Sequence, residues 1–256
     1  MKVLVVPDVH LKRRIFDEAE KAIVYLEERE EELPESERQQ IGAVCLGDWA
    51  DDWGKQNDLQ AYRDTFDRGI AFLTQHTNTY FCIGNHDISY VWQKEESGFS
   101  YNPDVQFMVR KKMKELERAL VDEGHFAFIH CIDNTIFSHA GIGRGYIKEY
   151  AGFGGDLDNF IWRINNTFGE AELWKDRSPI WARLQKEWYQ NDSPYSGRRL
   201  QVVGHTPVEK AIYDAEDYLL SVDTFSTDEN GNPLGEQRFV VVDTVKMTYT
   251  YVDFDD

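Results

Sequence analysis

The chain has 256 residues, 41% hydrophobic and 29% charged, the make-up of a globular protein with material for a sizeable core. Asp and Glu outnumber Lys and Arg by 46 to 28, for a formal charge of −18. That surface repels polyanions and excludes a long nucleic-acid groove. No apolar stretch approaches the ~18 residues of a membrane span. The short run at residues 3–6 meets Asp8 almost at once, unlike a signal peptide, so a cytoplasmic location is expected.

Residues 2–7 form a first apolar run, 16–32 carry helical periodicity, and 41–46 form a second run. A second amphipathic segment covers 58–76 and a third apolar run 79–83. This strand–helix rhythm predicts parallel strands with right-handed crossovers. Residues 27–37 are a charge run, read as a solvated helix end and loop. Residues 104–122 predict a long helix, and 126–137 a hairpin turning at Asp133 and Asn134. Further strands are expected at 200–203, 218–222, 239–242 and 247–252, with helices at 155–168 and 179–189. Trp174, Trp181 and Trp188 recur every seven residues and read as one buried helical stripe. Cys45, Cys82 and Cys131 each lie in an apolar run and read as buried thiols, neither paired nor metal-binding. His76, His125 and His130 read as surface or satisfied core histidines. The sum is one domain over 1–256, of α/β class, with two packed mixed β-sheets flanked by helices.

Polar groups follow the early strands directly: Asp8 and His10, then Gly47-Asp48-Trp49-Ala50-Asp51, then Gly84-Asn85-His86-Asp87. In an open parallel sheet the carboxyl ends of the strands converge on one crevice. In extended chain Asp8 and His10 point to the same side and could grip one metal ion. Two more histidines follow apolar runs, in Ser138-His139-Ala140-Gly141 and Gly204-His205-Thr206-Pro207. Asp8, His10, Asp48, Asn85, His139 and His205 are oxygen and imidazole donors, suited to manganese, iron or zinc. A pair of such ions, ~3.5–4 Å apart and bridged by Asp48, generates hydroxide near neutral pH and clamps attacking and leaving oxygens.

This ordered series resembles the calcineurin-like metallophosphoesterases, in particular the phosphoprotein phosphatase branch with its bacterial and bacteriophage members and related dinucleoside tetraphosphate hydrolases. The motifs run from Asp8 to His205; residues 179–183 and 221–224 add further likeness. The resemblance implies an α/β/β/α sandwich and two divalent metal ions, manganese first, with iron or zinc as alternatives. It places Asp8 and His10 on the first metal, Asp48 between the two, and Asn85, His139 and His205 on the second. His86 would protonate the leaving alkoxide, Asp51 would orient that imidazole, and Arg183 would hold phosphate oxygens. The chain departs from the branch at Pro7 and Leu11, where glycines are usual, and at Asp52, where a phosphate-binding arginine is usual. Arg13, Arg14 or Arg144 could replace that arginine, although Arg13 and Arg144 read more simply as surface residues.

The leading expectation is a metal-dependent phosphomonoesterase acting on serine/threonine phosphoproteins or small phosphate esters, by in-line attack of a metal-bridging hydroxide. One alternative is a dinucleoside polyphosphate hydrolase with the same metal core. Another is an inactive scaffold that binds a partner protein. Residues 90–103 could close over the site as a lid or simply connect to the next helix. Trp49 and Trp53 could line the pocket or pack. No membrane partner is expected, and no oligomeric state is read from the sequence.

Overall fold

Strand β1 (Lys2–Val6) is apolar without alternation because both of its faces are covered. Leu4 and Val6 join a core under the helices, whereas Val3 and Val5 join a core shared with a second sheet. The computed structural model describes every residue except 96–100, 122–123, 152–155, 187–191, 196 and 254–256.

Strands β2 (Ile41–Cys45) and β3 (Thr79–Cys82) pair in parallel with β1, in chain order. Helices α1 (Arg14–Glu31) and α2 (Leu59–Gln75) make the crossovers. Helix α2 starts where the Asp58 carboxylate accepts the Ala61 N–H at 2.9 Å. Helices α3 (Asn85–Trp92) and α4 (Pro103–Leu120) follow β3, then the short β4 (Phe126–Ala127). With β10 (Val240–Asp243) and β11 (Thr248–Tyr251) the first sheet runs β11-β10-β1-β2-β3-β4.

The second sheet runs β5-β6-β7-β9-β8. Its strands are β5 (Ile129–Ile132), β6 (Thr135–Ser138), β7 (Leu200–Val203), β8 (Ile212–Asp214) and β9 (Leu219–Ser221). Both sheets mix parallel and antiparallel pairs. Val44, Leu46 and Cys82 of the first meet Phe137, Val202 and Leu220 of the second. Helices α5 (Arg144–Ala151), α6 (Leu157–Asn166) and α7 (Glu170–Leu173) lie between β6 and β7 in the chain. Two packed mixed sheets flanked by helices is the expected fold. Among the described residues no helix is long and apolar enough to cross a membrane.

Several expectations are corrected. The hairpin does turn after β5, but its expected first strand is split: β4 pairs with β3 in the first sheet, and β5 starts the second. The expected helix at 179–189 is absent from residues 179–185, Lys186 is in 3-10 conformation, and 187–189 lie outside the described residues. There the Pro179 carbonyl accepts the Ala140 N–H at 2.8 Å. Ala182 and Leu184, two positions apart, pack on Ala140, Val203 and Leu219 of the second sheet. Tertiary contacts have drawn an amphipathic sequence into a turn and irregular chain instead of a helix. The tryptophan stripe dissolves with it: Trp174 caps α7, Trp181 lies in a turn, and Trp188 is outside the described residues. Cys45 and Cys82 are buried, but Cys131 is exposed, at the outward position of β5.

Candidate active site

The six donor residues follow the carboxyl ends of parallel strands: β1, β2 and β3 in one sheet, β6 and β7 in the other. Backbone bonds tie these loops together. The Asp48 carbonyl accepts the N–H groups of Val9 (3.1 Å) and His10 (2.8 Å). The Asp87 carboxylate, not singled out in the sequence as functional, accepts N–H groups of Asp48 (2.7 Å), Trp49 (2.9 Å) and Ala50 (3.2 Å). His10, Asp48, Asp51 and His205 all hold left-handed backbone, with φ of 44°, 50°, 61° and 63°. Such conformations cost non-glycine residues about 1–3 kcal/mol each and cluster at functional sites. Two glycines make room for carboxylates: a Cβ on Gly84 would lie 2.1 Å from Asp48 Oδ1, and one on Gly204 2.2 Å from Asp8 Oδ1.

Two groups of donor atoms lie within 4.8 Å of one another: Asp8, His10 and Asp48, and Asp48, His139 and His205. Asp48 belongs to both, as a bridging ligand must. His10 Nδ1 bonds the Asp51 carbonyl (3.0 Å) and His139 Nδ1 the Leu46 carbonyl (2.8 Å). Those bonds fix the ring N–H outward and leave each Nε2 lone pair for the centre. His139 Nε2 lies 2.8 Å from Asn85 Oδ1, 3.1 Å from His205 Nδ1 and 3.2 Å from Asp48 Oδ2. With its amide turned, Asn85 would instead donate to His139, His205, Asp48 and the Ile180 carbonyl. Either way one point is ringed by acceptors, and His205 Nε2 is buried with no hydrogen-bond partner. A divalent cation fits such a donor set; a neutral core does not.

Charge explains the titration pattern. Burial, then Asp223 and Asp48, push the Asp8 carboxyl well up. Burial opposes ionisation of Asp48 too, but His139 and His86 outweigh it and hold Asp48 far below the carboxylate range. Burial and then His86 lower His10 to about 4.

His86 is the first turn of α3 and lies beside His10, with ring centres 5.1 Å apart. Its Nδ1 meets Asp51 Oδ2 at 2.9 Å, and its backbone N–H donates to Asp48 Oδ1 at 2.9 Å. The hydroxyls of Tyr62 and Tyr90, both fully buried, donate to the other Asp51 oxygen, and the Tyr101 N–H donates to Oδ2 at 3.3 Å. Burial would lower the His86 pKa, but Asp48 and Asp51 raise it to about 9. Neither tyrosine was anticipated from sequence, although a buried carboxylate behind a histidine calls for donors.

A cleft of about 500 Å³ opens over these groups, lined by His10, Lys12, Asp52, Trp53, His86 and Arg183 among others. Arg183 donates to Thr206 Oγ1 (3.1 Å) and the His205 carbonyl (3.3 Å). Trp53 lines the cleft, whereas Trp49 is fully buried against Phe16, Phe66 and Phe81. The proposed substitutes for the missing arginine lie elsewhere: Arg13 pairs with Asp17, Arg14 with Glu18, and Arg144 stacks on Tyr195. Of residues 90–103, Tyr90–Trp92 belong to α3, Asn102 caps α4, and 96–100 lie outside the described residues.

A family model described as calcineurin-like phosphoesterase matches residues 1–233. A cold-active protein tyrosine phosphatase, solved as a mutant, is similar over 98% of this chain and 80% of its own, at 14% identity and a TM-score of 0.51. A protein serine/threonine phosphatase from Saccharomyces cerevisiae is similar over 94% of this chain and 72% of its own, at 12% identity and a TM-score of 0.53. At these identities the likeness is one of fold. No curated protein matches the chain.

Proposed function

The chain belongs to the calcineurin-like phosphoesterases, metal-dependent hydrolases of phosphate esters, and we propose that it is a two-metal phosphomonoesterase acting on phosphoserine and phosphothreonine in proteins. The observation that carries this reading is the pair of donor groups sharing Asp48, set beside a histidine that a carboxylate fixes. Asp8 and His10 would hold one cation, Asn85, His139 and His205 the other, and Asp48 would serve both; manganese is the first candidate. When bound, such ions activate water near neutral pH and draw charge from the phosphoryl oxygens.

The chain's own residues do the rest. Asp51 accepts the Nδ1 proton of His86, so Nε2 is the nitrogen left for the cleft. Asp48 and Asp51 raise the His86 pKa to about 9 in the chain alone, toward the protonated form that a donor to a departing alkoxide needs. Arg183 presents a forked guanidinium to the phosphoryl oxygens. Asp52, Asp228 and Glu229 also line the cleft. Carboxylates there favour a single phosphoryl group on a neutral or basic carrier over a polyphosphate chain. The presence of Trp53 and Trp181 in the lining keeps a second reading, dinucleoside polyphosphate hydrolysis, in the test. An inactive scaffold would be expected to have lost ligands, and all six are here.

The test is hydrolysis of an aryl phosphate, a phosphoserine peptide and diadenosine tetraphosphate, each with and without Mn²⁺. Mn²⁺-dependent turnover of the first two is the expected result. Cleavage of the dinucleotide alone would transfer the assignment to the second reading.

A further inference from the structure

Lys12 is the least expected residue in the cleft. The chain turns through left-handed backbone at His10 and Leu11 (φ 44° and 56°), which brings Lys12 back to the cleft lining. Its side chain is only 8% exposed. Its ammonium has only a long contact with Asp52 Oδ1, 3.5 Å, and among the described residues no other hydrogen-bond partner. A buried charge so loosely satisfied is costly to keep.

Asp52 does not need it. That carboxylate already accepts the Lys55 ammonium at 2.6 Å and the Trp53 N–H at 3.0 Å. Lys12 is thus the loosest of its three partners and can turn to an incoming anion without stranding Asp52. Building on the phosphatase reading above, we propose that Lys12 is a phosphate-binding residue of this cleft, and that Asp52 holds its ammonium ready between substrates. Lys12 and Arg183 are then the two cationic side chains that meet the phosphoryl group, reaching it from different loops. An ammonium is a point charge rather than a fork, so it takes one oxygen and leaves others to the guanidinium of Arg183. The nearby carboxylates confine this positive charge to the size of one phosphoryl group. The substrate class that follows is a phosphate monoester dianion.

The test uses the full chain loaded with Mn²⁺, with metal content measured for every variant. The first readout is the Kd of inorganic phosphate by calorimetry; the second is the split between KM and kcat for an aryl phosphate. Lys12→Met should weaken phosphate binding by ~10- to 100-fold, as expected for losing a hydrogen bond to a charged group, with metal content unchanged. KM should rise more than kcat falls, and Lys12→Arg should recover most of the affinity. Phosphate binding within twofold of wild type in Lys12→Met would overturn the proposal, as would an Mn²⁺-loaded wild type that binds no phosphate. Should Lys12→Met fail to fold, Lys12→Gln decides: it keeps a polar end that Asp52 can accept but removes the charge, so phosphate should bind at least ~10-fold more weakly with metal content unchanged, and binding within twofold of wild type would overturn the proposal. Lys12-dependent phosphate binding without ester hydrolysis would sustain this inference and sink the phosphatase reading. Hydrolysis with phosphate binding indifferent to Lys12 would do the reverse.

Discussion

His139 is buried and His86 largely so in the same cleft, and burial alone would lower the pKa of each; Asp48 with Asp8 at His139, and Asp48 with Asp51 at His86, together outweigh it, and both rise to about 9. Their surroundings are nevertheless opposite. Around His139 Nε2 the neighbours are Asn85 Oδ1, His205 Nδ1 and Asp48 Oδ2, all with lone pairs to share. Behind His86 the Asp51 carboxylate is saturated, with donors on both oxygens. Excess acceptors mark a place that needs a cation, whereas a saturated carboxylate marks a place where one proton is held in one position. The first region is completed by something the chain does not supply, and the second is complete in itself.

The comparison breaks most severely at Asp48. Asp48→Asn removes the charge shared by both donor groups and should strip both ions, lowering kcat/KM by at least ~10³-fold, a scale set by the Lewis-acid role of the metals. Metal content and activity should fall together while circular dichroism stays native; full Mn²⁺ occupancy in that variant would refute the bridging role. His86→Asn should leave both ions in place and cut turnover of the phosphoserine peptide by ~10²- to 10³-fold, within the range of general acid catalysis. The aryl phosphate, whose leaving group needs little protonation, should lose far less. Equal losses on both substrates would mean that His86 acts on binding or metal retention instead.

A third imidazole sharpens the contrast because no carboxylate rescues it. His130 is buried, bonds the Phe81 carbonyl at 2.9 Å, and is lowered to about 4, with burial the dominant cause. It is neutral in the folded protein, while the unfolded chain takes up a proton below about 6.5. The unfolded state therefore binds more protons as pH falls, and the stability contribution is full above about 6.5 and lost toward 4. Up to roughly 3 kcal/mol is at stake from a shift of this size. Denaturant melts of wild type and His130→Asn across that window should diverge in slope, with and without Mn²⁺; parallel curves would contradict the assignment.

The difference between the regions also explains what could be read from sequence. Asp8, His10, Asp48, Asn85, His139 and His205 follow strand ends, and strand ends are visible as apolar runs bounded by polar residues. Their convergence follows from parallel topology, so all six meet. The support behind His86 is another matter. Tyr62 sits in α2 and Tyr90 in α3, at positions that read locally as amphipathic helix, and only the packing of these helices aims both hydroxyls at Asp51. Asp87 likewise read only as one of the polar residues that follow the third apolar run, yet it binds three N–H groups of another loop. Residues 179–185 differ for the same reason in reverse: a helical local pattern yielded to contacts with a sheet formed far away in sequence.

The smallest effect belongs to those tyrosines and tests whether the completeness of the second region matters. Each phenol donates to Asp51 Oδ1, the two hydroxyl oxygens are 3.1 Å apart, and the Asn102 N–H donates to the Tyr90 oxygen at 3.0 Å. Tyr62→Phe leaves the ring packed and one phenol still on the carboxylate. Only part of a charged hydrogen bond, worth about 1.5–3 kcal/mol when whole, should then be lost from the positioning of His86. Peptide turnover should fall by roughly 3- to 10-fold in either single variant and further in the double, with KM and metal content steady. Introducing either change into His86→Asn should cost nothing more, because the tyrosines act through that imidazole. An additional loss in the His86→Asn background would show that they support the fold around Asp51 rather than the proton it positions.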